Sequence, residues 1–194
     1  MAPEGLPDPL RIAVAVARIL EGLGVPYVAV GSVASSVHGE PRSTDDVDFL
    51  ADLRLAHARE LGAAFGPDWY LSQDAVRTAI AQGATFNAIH LPTGVKVDFF
   101  VVGSDAFDAH RVKRGQAVPI SATEELRVDA AEGSVVRKLE WFRRGGETSD
   151  RQWRDVVGIL RAQGKRLDRA ELSSWAARVG VSDLLARAEQ EAGT

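Results

Sequence analysis

The 194-residue sequence has no cysteine. Disulfides and thiolate metal centres are therefore excluded, and any bound metal must rest on carboxylates or histidine. Oxygen donors of that kind favour magnesium, manganese or calcium. The sequence also lacks a long apolar run. Nothing approaches the roughly 20 residues of a membrane span, and the apolar segment from Ile12 to Leu20 is broken by Arg18 and bounded by Arg11 and Glu21. The first residues are acidic and proline-containing, without the basic opening of a signal peptide. The expected location is the cytoplasm, with no membrane partner. There are no internal repeats and no low-complexity segments.

What is present is ordinary in bulk and uneven in detail. Hydrophobic residues make up 45% and charged residues 26%, enough for a soluble protein with a real core. The net charge of −4 hides an asymmetry: residues 1–110 carry 7 Lys+Arg against 14 Asp+Glu, while residues 111–194 carry 16 against 13. Within 137–166 the balance is 9 against 4. An acidic half suits metal binding, and a basic stretch suits phosphate or nucleic acid. Two solvated faces of opposite sign account for the same counts.

Local patterns predict a helix from Leu10 to Leu23, started by Asp8-Pro9 and stopped at Gly24. Tyr27-Val28-Ala29-Val30 reads as a buried strand. A short helix over Val33–Val37, a strand over Val47–Leu50 and a helix from Leu53 to Phe65 follow. Gly83–Leu91 and Val95–Val102 form a predicted hairpin around Pro92-Thr93-Gly94. From about Val128 the apolar residues recur at helical spacing, with a break at Gly145-Gly146 and a last helix over Ser182–Glu191. The chain thus divides into an α/β part, 1–125, and a helical part, 126–194.

The chemistry centres on three aspartates. In Asp46-Val47-Asp48 an extended backbone turns both carboxylates to one face. Like charges so close raise each other's pKa unless a cation lies between them. Asp98 sits in another apolar strand, Val95-Lys96-Val97-Asp98-Phe99-Phe100, where an unpaired buried carboxylate is costly. If the two strands are neighbours, three carboxylates converge into an oxygen-ligand site for one or two magnesium ions. Turn-capping aspartates and a solvated strand face are the alternative. Gly31-Ser32 ends the first strand, where glycine admits a phosphate and the following helix start offers backbone amides and a hydroxyl.

The run Val30-Gly31-Ser32, then 13 residues, then Asp46-Val47-Asp48-Phe49 resembles the leading motif of the DNA polymerase β-like nucleotidyltransferases. Lys96-Val97-Asp98-Phe99-Phe100 resembles their second motif. The stretch from Gly31 to Arg42, with Arg137 to Arg143 and Arg151 to Val156, resembles the AbiEii-type nucleotidyltransferase toxins more narrowly. The resemblance covers about residues 25–165 and implies a nucleotidyltransferase fold: a small, mixed, antiparallel-leaning sheet with helices in 1–125, and a helical part, 126–194, closing the nucleotide cleft. It implies that Gly31 and Ser32 hold the β- and γ-phosphates, that Asp46, Asp48 and Asp98 bind Mg2+ or Mn2+, and that Asp98 helps deprotonate the attacking hydroxyl. Lys96 is implied to contact the nucleotide, Lys138 to act in catalysis, and the Arg154-Asp155 pair to contact phosphate or acceptor, with the acid orienting the cation. Where relatives in this branch usually carry Glu-Asp before the Lys138 helix, this chain has Glu132-Gly133.

The implied reaction is transfer of an NMP from an NTP to an acceptor with release of pyrophosphate. The branch points to the 3′ end of tRNA as acceptor, in a toxin with a cognate antitoxin partner. A small molecule, as for aminoglycoside nucleotidyltransferases, or a protein hydroxyl is the second enzyme reading. A non-catalytic nucleotide-binding module is the third. Arg42 either steers triphosphate or pairs with Asp45. His38 is expected to be structural, and Trp141, Trp153 and Trp175 to lie in the core. Arg143, Arg144, Arg151, Arg161, Lys165 and Arg166 form a candidate RNA-facing patch.

Overall fold

The structure is a computed structural model and describes residues 8–41 and 46–194. The described chain divides into two compact units, one holding 8–33 with 46–129 and the other 34–41 with 130–194.

The first unit is built on a seven-stranded mixed sheet. Its elements in chain order are α1 (Asp8–Gly22), β1 (Tyr27–Val30), the start of α2 (Gly31–His38), β2 (Asp46–Ala51), α3 (Ala58–Phe65), β3 (Trp69–Leu71), α4 (Gln73–Gln82), β4 (Thr85–His90), β5 (Lys96–Val101), α5 (Ala106–Arg114), β6 (Gln116–Pro119) and β7 (Glu125–Val128). The strand order is β3-β4-β5-β2-β1-β7-β6. β2 and β5 run parallel, as do β1 and β7, and the other neighbours are antiparallel. Because β7 pairs with β1 and the Asp129 N–H donates to Ala29 O, the sheet unit extends to Asp129. The predicted helix from Leu53 to Phe65 begins instead as a 3-10 turn over Leu55–His57, with the His57 ring Nδ1 accepting the Arg54 N–H at 3.1 Å.

The register of the central strands is set by aromatic residues. Phe99 on β5 is the register partner of Phe49 on β2 and of Phe86 on β4. Phe99 stacks on Phe86 at 4.8 Å and on Phe49 at 5.9 Å, and Phe65 of α3 meets its edge at 6.0 Å. All three strand phenylalanines are buried. A one-residue slip of β2 against β5 would turn a large ring out to solvent, so this ladder specifies the pairing. α1 packs its buried stripe, Ile12, Ala13, Val16, Ala17 and Leu20, against the sheet. The opposite face carries a second apolar cluster. There Val28, Val30 and Leu50 form a core with Val112 of α5, joined by Phe100 and Val102.

The second unit holds the rest of α2 with α6 (Ala131–Arg144), α7 (Asp150–Gln163), α8 (Arg169–Arg178) and α9 (Ser182–Ala192). The break between α6 and α7 falls at Gly145-Gly146, where Gly146 takes φ 72°. α6 starts without a side-chain cap at Ala130. Glu132 is buried there and accepts the backbone N–H of Asp168 at 2.8 Å, just before α8. Among the tryptophans expected in the core, Trp153 is buried, but Trp141 is 47% exposed. Trp141 and Trp175 are instead covered by Arg144 at 5.5 Å and Arg178 at 4.8 Å, each three residues along its helix. No helix among the described residues is long and apolar enough to cross a membrane.

Candidate active site

The carboxylates follow from the register. Phe49 and Phe99 point into the core, so their neighbours Asp48 and Asp98 point the other way. Asp48 is the register partner of Asp98, and Asp46 is the register partner of Lys96. All four side chains therefore share one face of two adjacent strands. Two residues further along, the same face becomes Leu50 and Phe100, which belong to the core beside α5. The polar ends of β2 and β5 lie outside that apolar cluster.

Gly31 adds a close approach. It adopts φ +60°, and a Cβ there would lie 2.0 Å from Asp48 Oδ2. The backbone conformation favours glycine, and any side chain there would push the Asp48 carboxylate aside. Ser32 is buried beside it at the start of α2. Lys96 donates from Nζ to Asp98 Oδ2 at 2.7 Å. That hydrogen bond to the Asp98 carboxylate raises the Lys96 pKa, with the charges of Asp98, Asp46 and Asp48 acting in the same direction.

These positions sit on a frame that solved structures share. An antigenic nucleotidyltransferase-like protein from Paracoccidioides brasiliensis is 18% identical, with a TM-score of 0.54 over 94% of this chain and 93% of that one. ANT(2″)-Ia in complex with adenylyl-2″-tobramycin is 12% identical, with a TM-score of 0.55 over 88% of this chain and 98% of that one. This is the nucleotidyltransferase fold. No protein-family model and no curated protein matches the sequence.

Within the nucleotidyltransferase fold, the sheet unit brings together Gly31, Ser32, Asp46, Asp48, Lys96 and Asp98. Arg42 lies outside the described residues. Among the described residues no three Asp, Glu, His or Cys side chains are gathered tightly enough to hold a metal as they stand. Asp98 is instead turned to Lys96, as expected where neighbouring carboxylates need a counter-charge. The donor set still fits a hard divalent cation. It offers carboxylate oxygens from two rigid strands on one face, with neither sulfur nor imidazole among them.

Lys138, Arg154 and Asp155 belong to the helical unit. Lys138 is buried, and its Nζ donates to Asp155 Oδ2 at 2.8 Å and to Gln152 Oε1 at 3.3 Å. Arg154 is exposed and donates from Nε to the Asp150 carbonyl at 3.3 Å. Arg151, Arg154 and Asp155 line a cavity of about 230 Å³ with Ser35, Glu40 and Gly158. His38 is buried, and its carbonyl accepts from Gln163 Nε2 at 2.6 Å.

Two features escape the sequence reading. Asn87 of β4 is the register partner of Asp98 and is exposed, which places an amide beside the carboxylates. The alternation of exposed Thr85 and Asn87 with buried Phe86 and Ala88 carries that signal. Arg111 of α5 is the second. Its Nη2 donates to Asp129 Oδ2 at 2.7 Å and its Nη1 to Asp108 Oδ1 at 2.9 Å. Burial works against the guanidinium charge, but Asp129 and Asp108 outweigh it and the pKa is raised. No motif joins residues so far apart in sequence.

Proposed function

We propose that this chain is a metal-dependent nucleotidyltransferase that moves an NMP from an NTP to an acceptor hydroxyl. The observation that carries the reading is the side-by-side placement of Asp48 and Asp98 on parallel strands, with Gly31 pressed against Asp48. Asp46, Asp48 and Asp98 would hold Mg2+ or Mn2+. Bound there, the ion would supply Lewis-acid activation of the hydroxyl and neutralise charge on the phosphate oxygens.

The remaining work belongs to the chain. Gly31 lets the end of β1 lie close against Asp48, and the first amides of α2 with the Ser32 hydroxyl donate to the β- and γ-phosphates. Asp98 takes the proton of the acceptor hydroxyl as its oxygen bonds to the α-phosphorus. The bond from that phosphorus to the α,β-bridging oxygen breaks, and pyrophosphate leaves. In the helical unit, Lys138 and Asp155 brace α6 against α7, and the motif resemblance assigns contact with phosphate or acceptor to the cation beside Asp155, the exposed Arg154.

For the acceptor, the motif resemblance favours the 3′ end of tRNA, in a toxin held by an antitoxin. A small-molecule acceptor is the second reading, favoured by two observations. The match to ANT(2″)-Ia, solved with an adenylylated tobramycin, spans 98% of that chain. Arg143 and Arg144 of the basic stretch already meet Asp183 and Glu140 at 2.5 Å each. Incubation with each α-labelled NTP, magnesium and either total cellular RNA or an aminoglycoside tests both. Label in RNA supports the first acceptor, and label in the aminoglycoside supports the second. Failure to incorporate label from any NTP overturns the two together.

A further inference from the structure

Lys96 occupies an unusual place in the carboxylate face. It is the register partner of Asp46, its Nζ lies 2.7 Å from Asp98 Oδ2, and Asp48 lies beside Asp98 on the neighbouring strand. One ammonium therefore stands among three carboxylates. Its side chain is 41% exposed, against 20% for Asp98, so it reaches the group from solvent along the strand surface. The electrostatics agree with the geometry: the three aspartates all favour the charged form of Lys96, with the Asp98 hydrogen bond the largest contribution.

We propose that Lys96 is a resident counter-cation of the aspartate face, which a divalent ion must displace from Asp98 before the site is loaded. This rests on the transferase reading above and deepens it. The physical reason is competition. An Asp98 oxygen that already accepts from an ammonium is a poorer donor to a metal, and a positive charge a few ångströms away also repels a divalent ion. With metal absent, the lysine relieves repulsion between the aspartates. With metal present, that relief is redundant and the lysine must turn away. Nucleotide favours the displaced state, because its phosphates bring both ligands for the metal and an anionic partner for the freed ammonium. The lysine thus ties metal affinity to the presence of triphosphate.

The test is Mn2+ binding by paramagnetic titration of the full chain without nucleotide, comparing wild type with Lys96→Met and Lys96→Arg. Lys96→Met should bind Mn2+ about tenfold more tightly than wild type, because both competition and repulsion are gone. Lys96→Arg keeps the charge and should stay near wild type. Metal-free Lys96→Met should melt below wild type and gain more than wild type when Mn2+ is added, which separates the effect from misfolding. Equal or weaker Mn2+ binding by Lys96→Met overturns the inference while leaving the transferase reading intact. Absence of Mn2+ binding in every form, with and without NTP, overturns both.

Discussion

Gly31 and Asp48 show how tightly single residues are constrained at the carboxylate face. Gly31→Ala would place a methyl 2.0 Å from Asp48 Oδ2 at a backbone angle that L-residues avoid. The backbone conformation alone costs about 1–2 kcal/mol, and the Asp48 carboxylate must swing aside. We expect a modest loss of thermal stability with a much larger loss of transfer, measured by melting and turnover on the same preparation. A variant that melts lower yet turns over normally would contradict the role given to Asp48. Asp48→Asn should behave in the opposite way, losing transfer while melting no lower, because one of several like charges is removed. Tyr27 gives a pH signature in the same unit. Burial first, and then its hydrogen bond to Glu21 at 2.6 Å, push its phenol up from 10.0. The unfolded phenol loses its proton first, so this contribution is complete below pH 10 and is lost as pH rises through the folded value. Tyr27→Phe should flatten the alkaline fall in stability, and an unchanged denaturation profile above pH 10 would contradict the assignment.

At the scale of elements, what could be read in advance was what repeats locally. Tyr27–Val30 has the bounds of β1, the hairpin around Pro92-Thr93-Gly94 joins β4 to β5, and the helices after Ala130 follow their apolar spacing. The alternation of Asp48 with Phe49 and of Asp98 with Phe99 was equally legible. Which strands are neighbours was not, because β2 and β5 are parallel and separated by α3, β3, α4 and β4. β3 and β6 are edge strands of three and four residues, too short to show a period. α4 and α5 escaped because each has few buried residues, Val76 and Ala79 in one and Phe107, Arg111 and Val112 in the other. The Lys138–Asp155 pair shows the same limit, since residues 17 positions apart on two helices carry no joint pattern. Both side chains are 10% exposed, so removing one partner leaves a buried charge. Asp155→Ala should cost about 3–5 kcal/mol, and the double change Lys138→Met with Asp155→Leu should cost less than Asp155→Ala alone. A double variant less stable than that single one, by chemical denaturation, would show that the charge is needed for more than pairing.

Across the whole molecule, charge bears on the choice of acceptor. The acidic balance of 1–110 suits a cationic small molecule, and the basic balance of 137–166 suits RNA. Arg143 and Arg144 are engaged by carboxylates, and Arg151, Arg154, Arg161, Lys165 and Arg166 are the other exposed cations of that stretch. If tRNA is the acceptor, replacing Arg151 and Arg154 with alanine should weaken RNA binding and lower the salt slope by about 2. Equal slopes for wild type and the double variant would tell against this surface. The central claim is independent of that choice. It is that the aspartate face of β2 and β5 transfers the α-phosphoryl group with its nucleoside. The most direct measurement follows α-labelled and γ-labelled NTP in parallel, with magnesium and the acceptor panel, for wild type and Asp98→Asn. The account predicts that α-label enters the acceptor, that γ-label leaves as pyrophosphate, and that Asp98→Asn slows transfer about a hundredfold to a thousandfold. Transfer of the γ-label to the acceptor, or unchanged transfer by Asp98→Asn, would contradict it.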